Sequence, residues 1–175
     1  ADTLGMEYGD LTQEAGSTVA RSFPAKEGNL NELVQEALLK KVEELKIPVE
    51  YKAELKRVAY DDEGALDRIT VTVDGKDQEI DCLALVATDV SLIPVFEESQ
   101  VYEADGKAAA LVVSNNAEQL NKDSGELING LYAAGPILSA AVDGEGVLSG
   151  NELTEAVVFG STAGTEAAVY VSDNQ

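Results

Sequence analysis

Two neighbouring segments constrain the fold more than anything else in the chain. Ile69-Thr70-Val71-Thr72-Val73 alternates strictly, which places one row of side chains on each face of a strand. Asp74-Gly75 follows at once, a pair suited to a two-residue hairpin turn. A few residues on, Ile80 to Ala87 is a nearly continuous apolar run, as a strand buried on both faces of a parallel sheet requires. Combined with helical periodicity on either side, this predicts an α/β chain.

The first helical pattern runs through Leu30, Leu33, Val34, Ala37, Leu38, Val42 and Leu45, spaced by threes and fours. Asn29 is placed to cap it, with Glu32 as the reciprocal partner, and Pro48 is expected to stop it. Val49-Glu50-Tyr51 reads as short and extended, and Leu55 to Tyr60 as a strand that ends at the turn Asp61-Asp62-Glu63-Gly64. Ala108 to Val113 predicts another strand, Asp123-Ser124-Gly125-Glu126 a turn, and Leu131-Tyr132-Ala133-Ala134-Gly135 a short buried strand ending at glycine. Residues 136–150 read as a Gly-rich loop. A last helix is predicted from about Asn151 to Tyr170, with Leu153, Ala156, Val157, Gly160, Ala163, Gly164 and Ala167 forming a small-residue packing face.

The chain has 175 residues, 45% of them apolar, which suits one domain over 1–175 with its own core. It divides into an irregular lead (1–29), a helix, meander and buried strand (30–88), a connection (89–107), and further strands with the final helix (108–175). No apolar run approaches the ~20 residues of a membrane span. The formal net charge is −21, from 33 acidic against 12 basic residues. Such a field disfavours nucleic acid and anionic lipid.

There is no histidine, which removes the commonest general acid–base and any His-ligated zinc site. The single cysteine, Cys82, excludes an internal disulfide and reads as a buried, inert thiol. The acidic stretches Asp61-Asp62-Glu63, Asp123-Ser124-Gly125-Glu126 and Asp143-Gly144-Glu145 lack the alternating spacing of an EF-hand loop and read as solvated turns. Gly144-Glu145-Gly146 with Gly150 has the wrong spacing for a dinucleotide loop. Tyr132 reads as packing rather than as a proton donor.

Two stretches resemble the FAD-binding flavoprotein subunits of the fumarate reductase, succinate dehydrogenase and urocanate reductase family. The first is Gly16-Ser17-Thr18-Val19-Ala20-Arg21-Ser22, followed by the helix, the meander and Leu85-Val86-Ala87-Thr88. The second is Gly130-Leu131-Tyr132-Ala133-Ala134-Gly135, then Ser149-Gly150-Asn151-Glu152-Leu153, then Phe159-Gly160-Ser161-Thr162-Ala163-Gly164. The matches span roughly three quarters of the chain. The resemblance implies a partial FAD/NAD(P)-binding, Rossmann-like three-layer sheet with a small antiparallel β-meander. It also implies candidate FAD contacts at Thr88, Ala134, Gly135, Ser149, Gly150, Asn151 and Leu153. In such proteins the last helix points its positive N-terminus at the flavin ring.

Several family features are absent or replaced. The opening dinucleotide motif does not occur, and the stretch after Thr88 is too short for a substrate-capping domain. Asp89 stands where the family has a glycine near phosphate, and Pro136 where it has a glutamate. Asp143 and Val147 stand for the substrate-binding histidine and arginine, and Phe23 for another histidine. Of Arg21, Arg57 and Arg68, only Arg21 falls in a family segment. The pattern implies a non-catalytic binding or structural module, with no catalytic residue, no metal, and no FAD held by this chain alone. The alternative is one piece of a split or fragmentary FAD-dependent oxidoreductase, completed by a protein partner that covers an incomplete sheet.

Overall fold

A computed structural model of the chain describes residues 7–13, 18–144 and 150–175. It separates into two compact units: Ala1–Tyr51 with Leu148–Gly150, and Lys52–Val147 with Asn151–Gln175. The architecture is mixed α/β. Among the described residues, no helix is long and apolar enough to cross a membrane.

In the first unit, the lead expected to be irregular carries two antiparallel bridges, Tyr8 with Ala25 and Thr12 with Ser22. Phe23 packs its ring edge-on to Tyr8, with centroids 6.2 Å apart. Helix α1 spans Leu30–Glu44, and the Asn29 side chain accepts from the N–H groups of Asn31 (2.9 Å) and Glu32 (3.4 Å). Its end differs from expectation, because the chain turns before Pro48 is reached. Lys46 adopts φ 54°, Lys46 N–H donates to the Glu43 carbonyl, and Ile47 N–H donates to that of Val42. This is a Schellman closure, which satisfies the last carbonyls and needs no proline. Val34 is buried on α1, while Leu38 and Leu45 of the predicted stripe are exposed. Residues 47–50 form no strand.

The second unit opens with an antiparallel meander: β1 (Ala53–Tyr60), β2 (Leu66–Val73) and β3 (Lys76–Asp81), in the order β1-β2-β3. Asp61 makes the first turn, its carboxylate accepting from Glu63 N–H and Ala65 N–H, each at 2.9 Å. Asp74 (φ 49°) and Gly75 (φ 76°) both take positive φ between the paired residues Val73 and Lys76, the geometry of a type I′ hairpin.

The apolar run 80–87 does not form one strand. Ile80 and Asp81 close β3, the chain bends at 82–84, and only β4 (Leu85–Ala87) pairs in parallel. Ile80 and Leu83 are exposed, so hydrophobicity alone mis-stated the burial. Cys82 is half-buried beside the core rather than fully enclosed. The predicted connection also holds structure: a 3-10 helix over Val90–Val95, then β5 (Val101–Ala104) hairpinned to β6 (Lys107–Leu111). Then β7 (Glu118–Leu120) and β8 (Leu127–Ala133) join β4 in a mixed sheet of order β4-β8-β7, with β4 parallel and β7 antiparallel to β8.

The two-sided burial expected of 80–87 belongs to β8. Leu131 and Ala133 enter a cluster with Val58, Leu66, Phe96 and Leu111, while Tyr132 and Ala134 enter one with Ala117 and Ala163. Alternation puts the two sets on opposite faces. Residues 136–150 are not simply a loop: a 3-10 turn covers Gly135–Ile137, and helix α2 covers Ser139–Asp143. Helix α3 spans Asn151–Asp173. Its buried residues are Glu155 and Ala163, with Phe159, Ala167 and Tyr170 half-buried on the same side; Ala163 and Ala167 of the predicted face are turned inward, while Val157, Gly160 and Gly164 are exposed. Both glycines are exposed, and a Cβ at either would touch nothing. Tyr170 and Phe159 supply more apolar area than glycine, so the helix turns them inward.

Candidate functional site

Because β4 and β8 run parallel, the residues that follow them emerge at the same edge of the mixed sheet. Ala134 N–H donates to the Ala87 carbonyl at 2.9 Å, and Ile137 N–H donates to the Thr88 carbonyl at 3.3 Å. Thr88 is thus brought beside Ala134 and Gly135. Thr88 is exposed, whereas Ala134 and Gly135 are buried. Gly135 has φ 73°, a conformation that favours glycine, and no atom lies where a Cβ would sit.

Asp89 continues from Thr88 at the exposed edge. Its Oδ1 accepts from the Ser91 amide at 2.8 Å and the Ser91 hydroxyl at 2.6 Å, capping the 3-10 helix. Those bonds hold its carboxyl below the usual range, so a negative charge is fixed beside the strand ends.

Helix α3 runs back along β8. Ser139, beyond the strand, donates to Glu155 in the second turn of α3, and the Tyr132 hydroxyl donates to the Glu166 carbonyl three turns later. Asn151 is exposed in the first turn, and its Nδ2 donates to Asp143 Oδ1 at 3.3 Å. Leu153 is half-buried, and Gly150 has φ 87°. Ser149 lies outside the described residues. Thr88, Ala134 and Gly135 therefore form one group. Asn151 and Leu153 begin the helix that returns from the same end of β8.

Arg68 is occupied elsewhere in the same unit. On β2 it is engaged by Asp67 at 2.9 Å, with Glu79 and Asp81 at 3.5 and 3.8 Å. Burial, with help from Asp81 and Asp67, pushes the Cys82 thiol up, away from thiolate chemistry. Tyr132 is buried, and burial pushes its phenol up as well, in keeping with a packing role. Among the described residues, no three metal-ligating side chains come together.

The sequence reading missed Ser139 and Glu155. Glu155 is only 6% exposed, with an oxygen that has no partner. The available signal was its spacing of four from Phe159, which puts an acid on that residue's inward face. Asp143, expected in a solvated turn, ends α2 with one oxygen buried. No protein-family model matches the chain, and no curated protein matches it.

Proposed function

We propose that this chain is a flavoprotein-like α/β module related to the fumarate reductase flavoproteins, working as a non-catalytic binding or structural subunit. The observation that carries this reading is the parallel pairing of β4 with β8. It sets Ala87-Thr88 against Ala133-Ala134-Gly135, two segments that the resemblance alone links to one cofactor. A meander before β4 and a long helix returning from the end of β8 support a Rossmann-like layering.

The residues present fit only part of FAD. A flavin and its ribityl chain are largely uncharged, and the Thr88 hydroxyl, the open Gly135 and Asn151 offer them polar and close-approach contacts. The pyrophosphate does not fit, because it would meet the fixed carboxylate of Asp89. Reduction of a dicarboxylate needs cations around the substrate. Here Arg68 is held by acids, Asp143 replaces a histidine, and the chain has no histidine at all.

A second reading rests on β4 being an edge strand, with Val86 exposed. A partner chain that adds a strand there would complete the sheet and could bring the phosphate site with it. One set of measurements separates the two. The purified chain is expected to show no absorption bands between 350 and 500 nm, to bind no added FAD, and to run as a lone 18.4 kDa species. Flavin bands in the chain alone overturn the first reading. Co-purification with a second chain that turns the pair yellow establishes the second.

A further inference from the structure

The apolar stripe of α1 is covered at one end and bare at the other. Val34 is buried and Val42 half-buried, while Leu38 and Leu45 on the same face are 50% and 70% exposed. Leu39, Ile47, Val49 and Tyr51 are exposed too, all within the same unit. Scattered apolar residues are ordinary on a surface, but six large ones between Leu38 and Tyr51 are a concentration.

The charge of this stretch selects the partner. Lys40, Lys41 and Lys46 balance Glu43, Glu44 and Glu50, so the whole net charge of −21 lies on the rest of the chain. A cationic partner is drawn to that rest, whereas a copy of the chain is repelled least here. The charges of α1 are also mirrored: Lys40-Lys41 precede Val42, and Glu43-Glu44 follow it. Lys41 and Glu44 lie three apart on one flank of the bare face and pair at 2.6 Å. Two copies laid antiparallel about a point between Val42 and Glu43 bring each Lys41 level with the partner's Glu44. We propose that the second half of α1, with the residues up to Ile47, is a self-docking surface that joins two copies of the chain as an antiparallel, two-fold pair of helices. The association is weak and strengthens with salt. The charge on each copy opposes contact at long range, and screening removes that repulsion first. In dilute, low-salt solution the chain therefore runs at 18.4 kDa.

Sedimentation equilibrium at rising protein concentration in about 0.5 M sodium chloride tests this, with a reductant present so that Cys82 cannot link copies. The mass should climb towards twice 18.4 kDa. Lys41→Glu sets glutamate against glutamate twice in each pair of copies, and Glu44→Lys sets lysine against lysine. Each variant alone should associate about tenfold more weakly. Mixed one to one, the two variants restore both opposite-charge contacts and should pair about as strongly as wild type. The side chains of Lys41 and Glu44 are half exposed, so the variants should fold. A wild type that stays at 18.4 kDa at every concentration overturns the proposal, and leaves the face to another part of the chain or to a different protein. Variants that associate like wild type, or a mixture no stronger than its components, overturn it as well, since the contact would then be indifferent to Lys41 and Glu44.

Discussion

The side-chain amide of Gln119 donates to the backbone carbonyl of Tyr132 at 3.0 Å, deep between β7 and β8, where Gln119 is fully enclosed. Its oxygen accepts from the Ser99 hydroxyl at 2.6 Å, and Ser99 is itself buried. One glutamine thus ties the β8 backbone to the segment after the first 3-10 helix. Gln119→Leu leaves both a hydroxyl and a carbonyl without partners, so we expect a loss of about 2–4 kcal/mol. Ser99→Ala removes only one bond and should cost about 1 kcal/mol. Urea midpoints at unchanged slope give both values; equal costs for the two variants would refute the ranking.

Gly130 sits inside β8 with φ 82°, and a Cβ there would run into the Leu83 carbonyl oxygen. Gly130→Ala combines backbone strain with a clash against main chain, so a loss of about 3 kcal/mol or more is expected. Gly164→Ala, on the exposed side of α3 with open space around it, should instead stabilise by roughly 0.5–1 kcal/mol. Thermal unfolding of the pair checks the orientation of α3. A destabilised Gly164→Ala would mean that the glycine face is packed after all.

Burial pushes the Glu155 carboxyl up from its ordinary 4.5, and the negative charges of Asp143 on α2 and Glu152 on α3 add to this, while the Ser139 hydroxyl opposes it. Below pH 4.5 the group is protonated both folded and unfolded, and it costs nothing. As pH rises through its raised folded value, ionisation becomes harder in the fold than in the open chain, and stability falls. Glu155→Gln should therefore flatten the decline of stability with pH above 4.5. Parallel curves for wild type and variant would show that Glu155 does not cause the decline.

The Tyr60 hydroxyl is buried without a hydrogen-bond partner, close to the backbone of Glu98. Burial foremost, then the charges of Glu98 and Glu97, push the phenol up from 10 to about 12. The contribution is intact below pH 10 and is lost between pH 10 and about 12, because the unfolded chain releases this proton first. Tyr60→Phe should be close to neutral at pH 7, since no bond is broken, and should unfold less readily at pH 11 than wild type. Spectroscopic titration near 295 nm of wild type and Tyr60→Phe should differ by one phenol, which ionises only as the pH nears 12.

Local signals were legible wherever a few adjacent residues settle the geometry. Asn29 caps α1, Asp61 makes its turn, and Asp74-Gly75 makes its hairpin, because each uses side-chain oxygens or positive φ within four residues. The buried strand through Leu131, Tyr132 and Ala133 was visible too, although it begins earlier, at Leu127, and Gly135 opens a 3-10 turn after it. The run 80–87 misled because apolar character reports affinity for a core without saying which residues reach one. Asp81 pairs with Arg68 across the meander, and this claims the first residues of the run for β3. The strand hidden in the connection, β5, needs its partner β6 to exist and has no strong pattern of its own.

The same division holds for the candidate site. The sequence by itself determined the lack of histidine, the acidic field, and the presence of Asp89 and Pro136 beside the two strand ends. These are facts of identity, and no folding can alter them. Only the tertiary structure decided that Thr88 and Gly135 share an edge, that α3 turns Glu155 inward, and that Asp143 meets Asn151 across two helices. Parallel pairing and helix rotation are settled by the sum of many apolar contacts between distant segments, and no short stretch of chain contains that sum.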